Sequence, residues 1–133
     1  MIILNRVQSL GLDLLWRKRA LACLARAVSS PRRILDLATG TADFALAAAR
    51  LFPSAHVTGI DLTPAMLDIG RHKAETAGLT NRITFEEGDA CALACADGTF
   101  DTYVIDSEGK TYWSSHLEHQ YLHRNSLQYN VPL

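Results

Sequence analysis

Residues 33–45, RILDLATGTADFA, read as a short apolar strand, a turn built on Gly40 and the start of a helix. From Gly40 the turn runs G-x-A-x-x-A, a sparse relative of the G-x-G-x-x-G loop that lets a backbone approach a dinucleotide pyrophosphate. Two carboxylates flank it, Asp36 at the end of the strand and Asp43 at the helix start. The N-terminus of that helix is where N–H groups and the helix dipole would attract an anion. A pyrophosphate would face both acids, at a cost of about 4 kcal/mol per pair at short range and an effective dielectric of about 20. No Gly-Lys-Ser/Thr follows, so the turn is not a P-loop. A nucleoside without phosphates and with positive charge fits better, and S-adenosylmethionine, with a sulfonium and an ammonium, is such a ligand.

The segments around this turn alternate. Upstream, Leu10, Leu14, Leu21, Leu24 and Val28 recur at helical spacing among Arg17, Lys18, Arg19 and Arg26, and Ser29, Ser30 and Pro31 stop the helix. Downstream, ADFALAAARLF is a helix ending before Pro53, and AHVTGID is a second strand. Thr63-Pro64 starts the next helix, with the threonine hydroxyl placed to cap it, and PAMLDIGRHKAETA runs to Gly78 as its stop. RITFEEGD is a third strand, ACALACADG a loop and FDTYVID a fourth strand. Alternation of this kind predicts right-handed crossovers and a Rossmann-like parallel sheet, with its ligand at the carboxyl ends of the strands. The first strand should be central and the fourth at an edge.

A chain of 133 residues with 48% hydrophobic content is at most one domain and can bury a core. Its net charge of -1 gives no global basic field for nucleic acid. In MIILNRVQ the apolar run ends after four residues, too soon for a signal peptide, and no run approaches a membrane span, so a cytoplasmic location is the default. Cys23, Cys91 and Cys95 are an odd count and read as free thiols. The C-x-x-x-C pair has no histidine nearby and is not read as a metal site.

Successive strand ends carry the candidate site. Asp61 ends the second strand about 20 residues after the glycine turn, where a carboxylate can accept both ribose hydroxyls. Asp89 ends the third strand beside Ala90, where a carboxylate and a backbone N–H can read the adenine edge. Met66 could lie against the adenine ring. Aspartate is also common at strand ends and caps, and a lone methionine is more often core. The set Asp36, Gly40, Asp61 and Asp89 carries the weight.

NRVQSLGLDLLWRKRAL, ILDLATGTADFA, VTGIDLTPAMLDIGRHKA and ITFEEGDACALACADGTFD together resemble one family over residues 4–105. It is the ubiquinone and menaquinone biosynthesis C-methyltransferases, which act on demethylmenaquinol and the related methoxy-benzoquinol. The resemblance implies a class I S-adenosylmethionine-dependent fold. It also implies that Gly40 and Thr41 line the methionine end of the cofactor, that Asp61 holds the ribose, and that Asp89 and Ala90 contact adenine. The implied reaction is in-line displacement at the sulfonium methyl by a ring carbon of a prenylated quinol, promoted by alignment and exclusion of water. No residue is identified as its base. The N-terminal helix is either a lid over the prenylated substrate, with basic residues toward a membrane surface, or a plain packing helix. Ala42 departs from the family, which usually has a second glycine there. Its methyl is expected to narrow the loop, and its backbone to adopt a conformation that alanine disfavours.

From Ser107 onward there is no alanine in 27 residues, against 18 in the preceding 106. The chain therefore divides into an N-terminal helical segment, 1–30, a partial methyltransferase domain, 31–106, and an unrelated extension, 107–133, with the family's later strands missing. His116, His119 and His123 fall at helical spacing without a fixed fourth ligand and are read as a solvated tail. Tyr112 and Trp113 are expected to pack on the exposed sheet edge. Two functions stay open: a quinol C-methyltransferase, or a noncatalytic remnant that binds S-adenosylmethionine. A nicotinamide-dependent oxidoreductase is disfavoured by Asp36 and Asp43.

Overall fold

A computed structural model describes residues 15, 17–89, 99–107 and 110–114. Helix α1 covers 17–27, and the remaining elements are β1 (Arg33–Leu37), α2 (Asp43–Leu51), β2 (His56–Asp61), α3 (Pro64–Thr76), β3 (Ile83–Glu87), β4 (Thr102–Ser107) and β5 (Lys110–Ser114). They form one five-stranded sheet in the order β3-β2-β1-β4-β5. β3, β2, β1 and β4 run parallel, so the expected Rossmann-like architecture with a central first strand is the observed one.

β1 is central because its residues suit burial on both faces. Ile34, Leu35, Asp36 and Leu37 are all at most 1% exposed, as a strand covered on both sides requires. The faces alternate along the strand. Ile34 shares one face with Val57, Ile83 and Val104, and there meets Ala20, Leu21 and Leu24 of α1, Phe44, Ala45 and Ala48 of α2, and Ala74 of α3. The alanine-rich face of α2 lets the helix lie close on the sheet. The described part of α1 is therefore a packing helix, with Leu24 1% exposed and Cys23 partly buried against the same cluster.

The chain ends of these elements are fixed by specific bonds. α3 stops in a Schellman motif: Gly78, at φ +70°, donates to Glu75 O at 3.1 Å and Leu79 N donates to Ala74 O at 2.8 Å. The start of α3 differs from expectation, since the Thr63 hydroxyl makes no capping bond and the side chain is exposed. Arg82 closes the far end of α2. Its guanidinium donates to the carbonyls of Ala49 at 3.0 Å, Phe52 at 2.8 Å and Ala55 at 2.7 Å. Carbonyls near a helix C-terminus favour such a cation. Asp101 ties β4 to β1 by accepting from Arg32 N at 2.8 Å and Arg33 N at 3.1 Å.

The fourth strand is not at an edge. β5 pairs antiparallel with β4, in the register Val104↔Trp113 and Ser107↔Lys110, and covers that edge with residues of the compositionally distinct segment. Tyr112 and Trp113 thus form the edge strand itself. Among the described residues, no helix is long and apolar enough to cross a membrane. Cys91, Cys95, His116, His119 and His123 lie outside the described residues.

Candidate cofactor site

The cleft lies where the strand order reverses, at the carboxyl end of β1 between β2 and β4, the position at which open α/β sheets bind ligands. Its floor is the turn from β1 to α2. Three of five consecutive residues there have left-handed backbones: Ala38 at φ 55°, Gly40 at φ 57° and Ala42 at φ 69°. For the two alanines that conformation costs about 1–2 kcal/mol each. Hydrogen bonds hold the turn against this strain. Thr39 N donates to Ile60 O at 2.9 Å, the Thr39 hydroxyl to Asp36 Oδ2 at 2.7 Å, and Ala42 N to Thr39 O at 2.9 Å. Gly59 makes room for the crossing, since a Cβ there would come within 2.8 Å of the Thr39 hydroxyl.

Asp61 joins the two strand ends. Its Oδ2 accepts from Gly40 N at 2.8 Å and its Oδ1 from Thr63 N at 2.9 Å. The sequence pattern placed Gly40 and Asp61 in one site, and the structure connects them directly. A carboxylate offers about four lone-pair positions, so two remain for hydroxyl donors. Gly88 N donates to Asp61 O at 3.0 Å, which brings the end of β3 alongside. Asp89 follows there and is exposed, and Met66 is half-buried in the first turn of α3. Ala90 lies outside the described residues.

The charge reading of the turn needs correction. Asp43 is not an uncompensated carboxylate at the helix start: Lys73 Nζ sits 2.9 Å from its Oδ1, and an Arg17 guanidinium nitrogen lies 3.8 Å from its Oδ2. Lys73 also donates to the Thr41 hydroxyl at 3.0 Å. The repulsion expected for a pyrophosphate is therefore overstated, because two cations from α1 and α3 offset one of the two acids. Sequence spacing could not show this, since Lys73 is 30 residues from Asp43. Asp36 is fully buried beneath the turn and receives the Thr39 hydroxyl.

Ala42 also departs from expectation, in one respect only. Its backbone is left-handed, as expected, with φ 69° and ψ 22°. Its methyl does not narrow the cleft, because the side chain is 0% exposed and sits in the core, where a Cβ on Gly70 would approach it to 3.0 Å. The cleft, about 200 Å³, is lined instead by Arg17, Asp36, Ala38, Thr39, Gly40 and Thr41 together with Asp43 and Phe44. At Gly40 an added Cβ would meet no protein atom within 4 Å, so the turn opens to solvent on that side. Cation, carboxylates, hydroxyls and an open backbone turn together suit a small zwitterionic ligand joined to a sugar.

Comparison with known proteins agrees with this geometry. The chain is 48% identical over 103 residues to a demethylmenaquinone methyltransferase from Thermus thermophilus, covering 77% of this chain and 45% of that one. It is 49% identical over 100 residues to a demethylmenaquinone methyltransferase from Deinococcus radiodurans, covering 74% of this chain and 39% of that one. The chain thus spans less than half the length of the curated relatives it matches. The solved structure of SibL, an S-adenosylmethionine-dependent methyltransferase, superposes with a TM-score of 0.59 at 27% identity, covering 74% of this chain and 28% of SibL. Residues 34–124 match the family described as a methyltransferase domain, and the chain belongs to that family.

Proposed function

We propose that the chain binds S-adenosylmethionine across the carboxyl ends of β1, β2 and β3 and forms the cofactor-binding part of a C-methyltransferase acting on a demethylmenaquinol-type ring. The observation that carries the cofactor reading is the Gly40–Asp61 hydrogen bond of 2.8 Å, which sets a carboxylate with lone pairs to spare beside an open backbone turn. Asp61 accepts the ribose hydroxyls, Gly40 and Thr41 line the amino-acid end, and Asp89 with Ala90 borders the adenine. Bound there, S-adenosylmethionine supplies an electrophilic methyl on sulfur. The chain's own part is to fix its direction and to keep water from the cleft. The two demethylmenaquinone methyltransferase relatives support this substrate class, and a relative from Geobacter named as a ubiquinone/menaquinone biosynthesis C-methyltransferase supports extending the proposal to prenylated quinols of the ubiquinone type. Such lipids make peripheral contact of a cytoplasmic protein with a membrane surface the matching location, and nucleic acid is not a partner.

A second reading, cofactor binding without turnover, is favoured by β5. The resemblance implies further strands after the fourth, whereas here an antiparallel strand covers β4. Two measurements on the 133-residue chain test these readings. Calorimetric titration should show binding of S-adenosylmethionine and none of NAD, and the reverse preference would refute the cofactor assignment. Transfer of a labelled methyl group to demethylmenaquinol, well above the enzyme-free rate, supports the catalytic reading, and binding without transfer supports the second.

A further inference from the structure

We propose that Lys73 is a positioning residue for the cofactor site: it commits the Thr41 hydroxyl to act as a donor, so that Thr41 meets the amino-acid carboxylate of the ligand and not its ammonium. The proposal rests on the S-adenosylmethionine reading above. α3 reaches the turn because Gly70 has no side chain, since a Cβ there would come within 3.0 Å of the Ala42 Cβ. Lys73 lies three positions further along the same side of the helix. Its ammonium spans the chain on either side of Ala42, donating to Thr41 Oγ1 at 3.0 Å and to Asp43 Oδ1 at 2.9 Å. The Lys73 side chain does not line the cleft, whereas Thr41 does.

An ammonium only donates, whereas a hydroxyl carries one proton and can also accept. The bond from Lys73 therefore uses Thr41 as an acceptor and leaves its proton for another partner. Among the described residues none takes that proton, and the bond from Lys73 is the one hydrogen bond of the Thr41 side chain. Thr41 lines the cleft, so the acceptor it is left to meet is one that a ligand brings. Thr39, in the same wall, differs: its hydroxyl donates to the buried Asp36, and its proton is spent inside the protein. At the amino-acid end of the cofactor the carboxylate accepts and the ammonium only donates. Thr41 thus selects the carboxylate, and the Lys73 charge behind it strengthens the bond by polarising the hydroxyl.

The test is calorimetric titration of the unsubstituted chain, Thr41→Val, Lys73→Met and the double variant with two ligands, S-adenosylhomocysteine and 5′-methylthioadenosine, which lacks the amino acid. Thr41→Val keeps the shape and removes the donor. It should lose roughly ten- to a hundredfold for S-adenosylhomocysteine, the range of a hydrogen bond to a charged group. Lys73→Met should lose roughly three- to tenfold when Thr41 is present, and a clearly smaller factor when Thr41 is valine, because no hydroxyl is then left to orient. Affinity for 5′-methylthioadenosine should stay the same in all four chains, which also reports that each is folded. An equal loss from Lys73→Met in both backgrounds would show that Lys73 acts by its charge alone and would overturn the proposal. Equal losses for both ligands, or no loss of S-adenosylhomocysteine affinity in Thr41→Val, would overturn it while leaving the cofactor reading intact. Binding of neither ligand by the unsubstituted chain would overturn both.

Discussion

Replacing Ala38 and Ala42 separately by glycine measures how the turn is built. Both have left-handed backbones, at φ 55° and φ 69°, and glycine relieves about 1–2 kcal/mol of strain at each. Glycine also gives the unfolded chain more freedom, which returns about 0.4–1 kcal/mol. Those two effects are common to both sites and leave a net gain of roughly 0–1.6 kcal/mol by difference. The sites differ in burial. Ala38 is exposed, whereas Ala42 is 0% exposed among core side chains, and losing its methyl removes about 0.8 kcal/mol of burial. Ala38→Gly should therefore stabilise the fold by about 0.8 kcal/mol more than Ala42→Gly does. With m-values unchanged, urea midpoints give the difference directly. Ala42→Gly should also leave cofactor affinity unaltered, because its methyl faces Gly70 rather than the cleft. If Ala42→Gly is the more stabilising of the two, or tightens cofactor binding, the methyl faces the ligand and the core placement is refuted.

Asp61→Ala should weaken S-adenosylmethionine binding more than Asp43→Ala does, and should also cost about 1.5–3 kcal/mol of stability, since the N–H groups of Gly40 and Thr63 both lose a charged acceptor. Calorimetry beside thermal melts separates the two effects, and unaltered affinity of a folded Asp61→Ala would count against the ribose assignment. Lys73→Met should cost only about 1 kcal/mol, because the pair with Asp43 is a quarter exposed on each side, and raising the salt concentration should shrink the difference from the unsubstituted chain. Arg82→Ala should cost roughly 2–3 kcal/mol by leaving the carbonyls of Ala49, Phe52 and Ala55 without their shared donor, and a loss under 0.5 kcal/mol in urea melts would contradict that role.

Much of the sheet was legible because local chemistry and tertiary structure agree. RILDL is apolar on both faces and sits between two strands, and PAMLDIGRHKAET begins with proline and ends just before a left-handed glycine, as its residues require. β5 was missed although a signal existed. TYVIDS and KTYWS are rich in β-branched and aromatic residues and are separated by Glu108-Gly109, a pattern that suits a two-residue hairpin. The change in composition drew attention away from that local pattern.

What sequence spacing could not reveal is how charge is distributed around the turn. Asp36 and Asp43 look equivalent as acids flanking a glycine, yet the fold treats them differently. Asp36 is sealed under the turn with a threonine hydroxyl, while Asp43 meets cations from two other helices. The electrostatics of the cleft are therefore set by α1 and α3 as much as by the turn between β1 and α2. This explains why so few glycines suffice. The turn does not bring bare backbone against a pyrophosphate, which would demand glycine at each close approach. It needs glycine only at Gly40, whose N–H engages Asp61 and whose missing Cβ leaves open space. Ala42 can be an alanine because its strain is offset by burial against α3, where Gly70 in turn must lack a side chain to admit both Ala42 and Phe85. The close contact of Ala42 with α3 thus depends on Gly70, while on the other side the turn stays open at Gly40, where a Cβ would meet no protein atom within 4 Å.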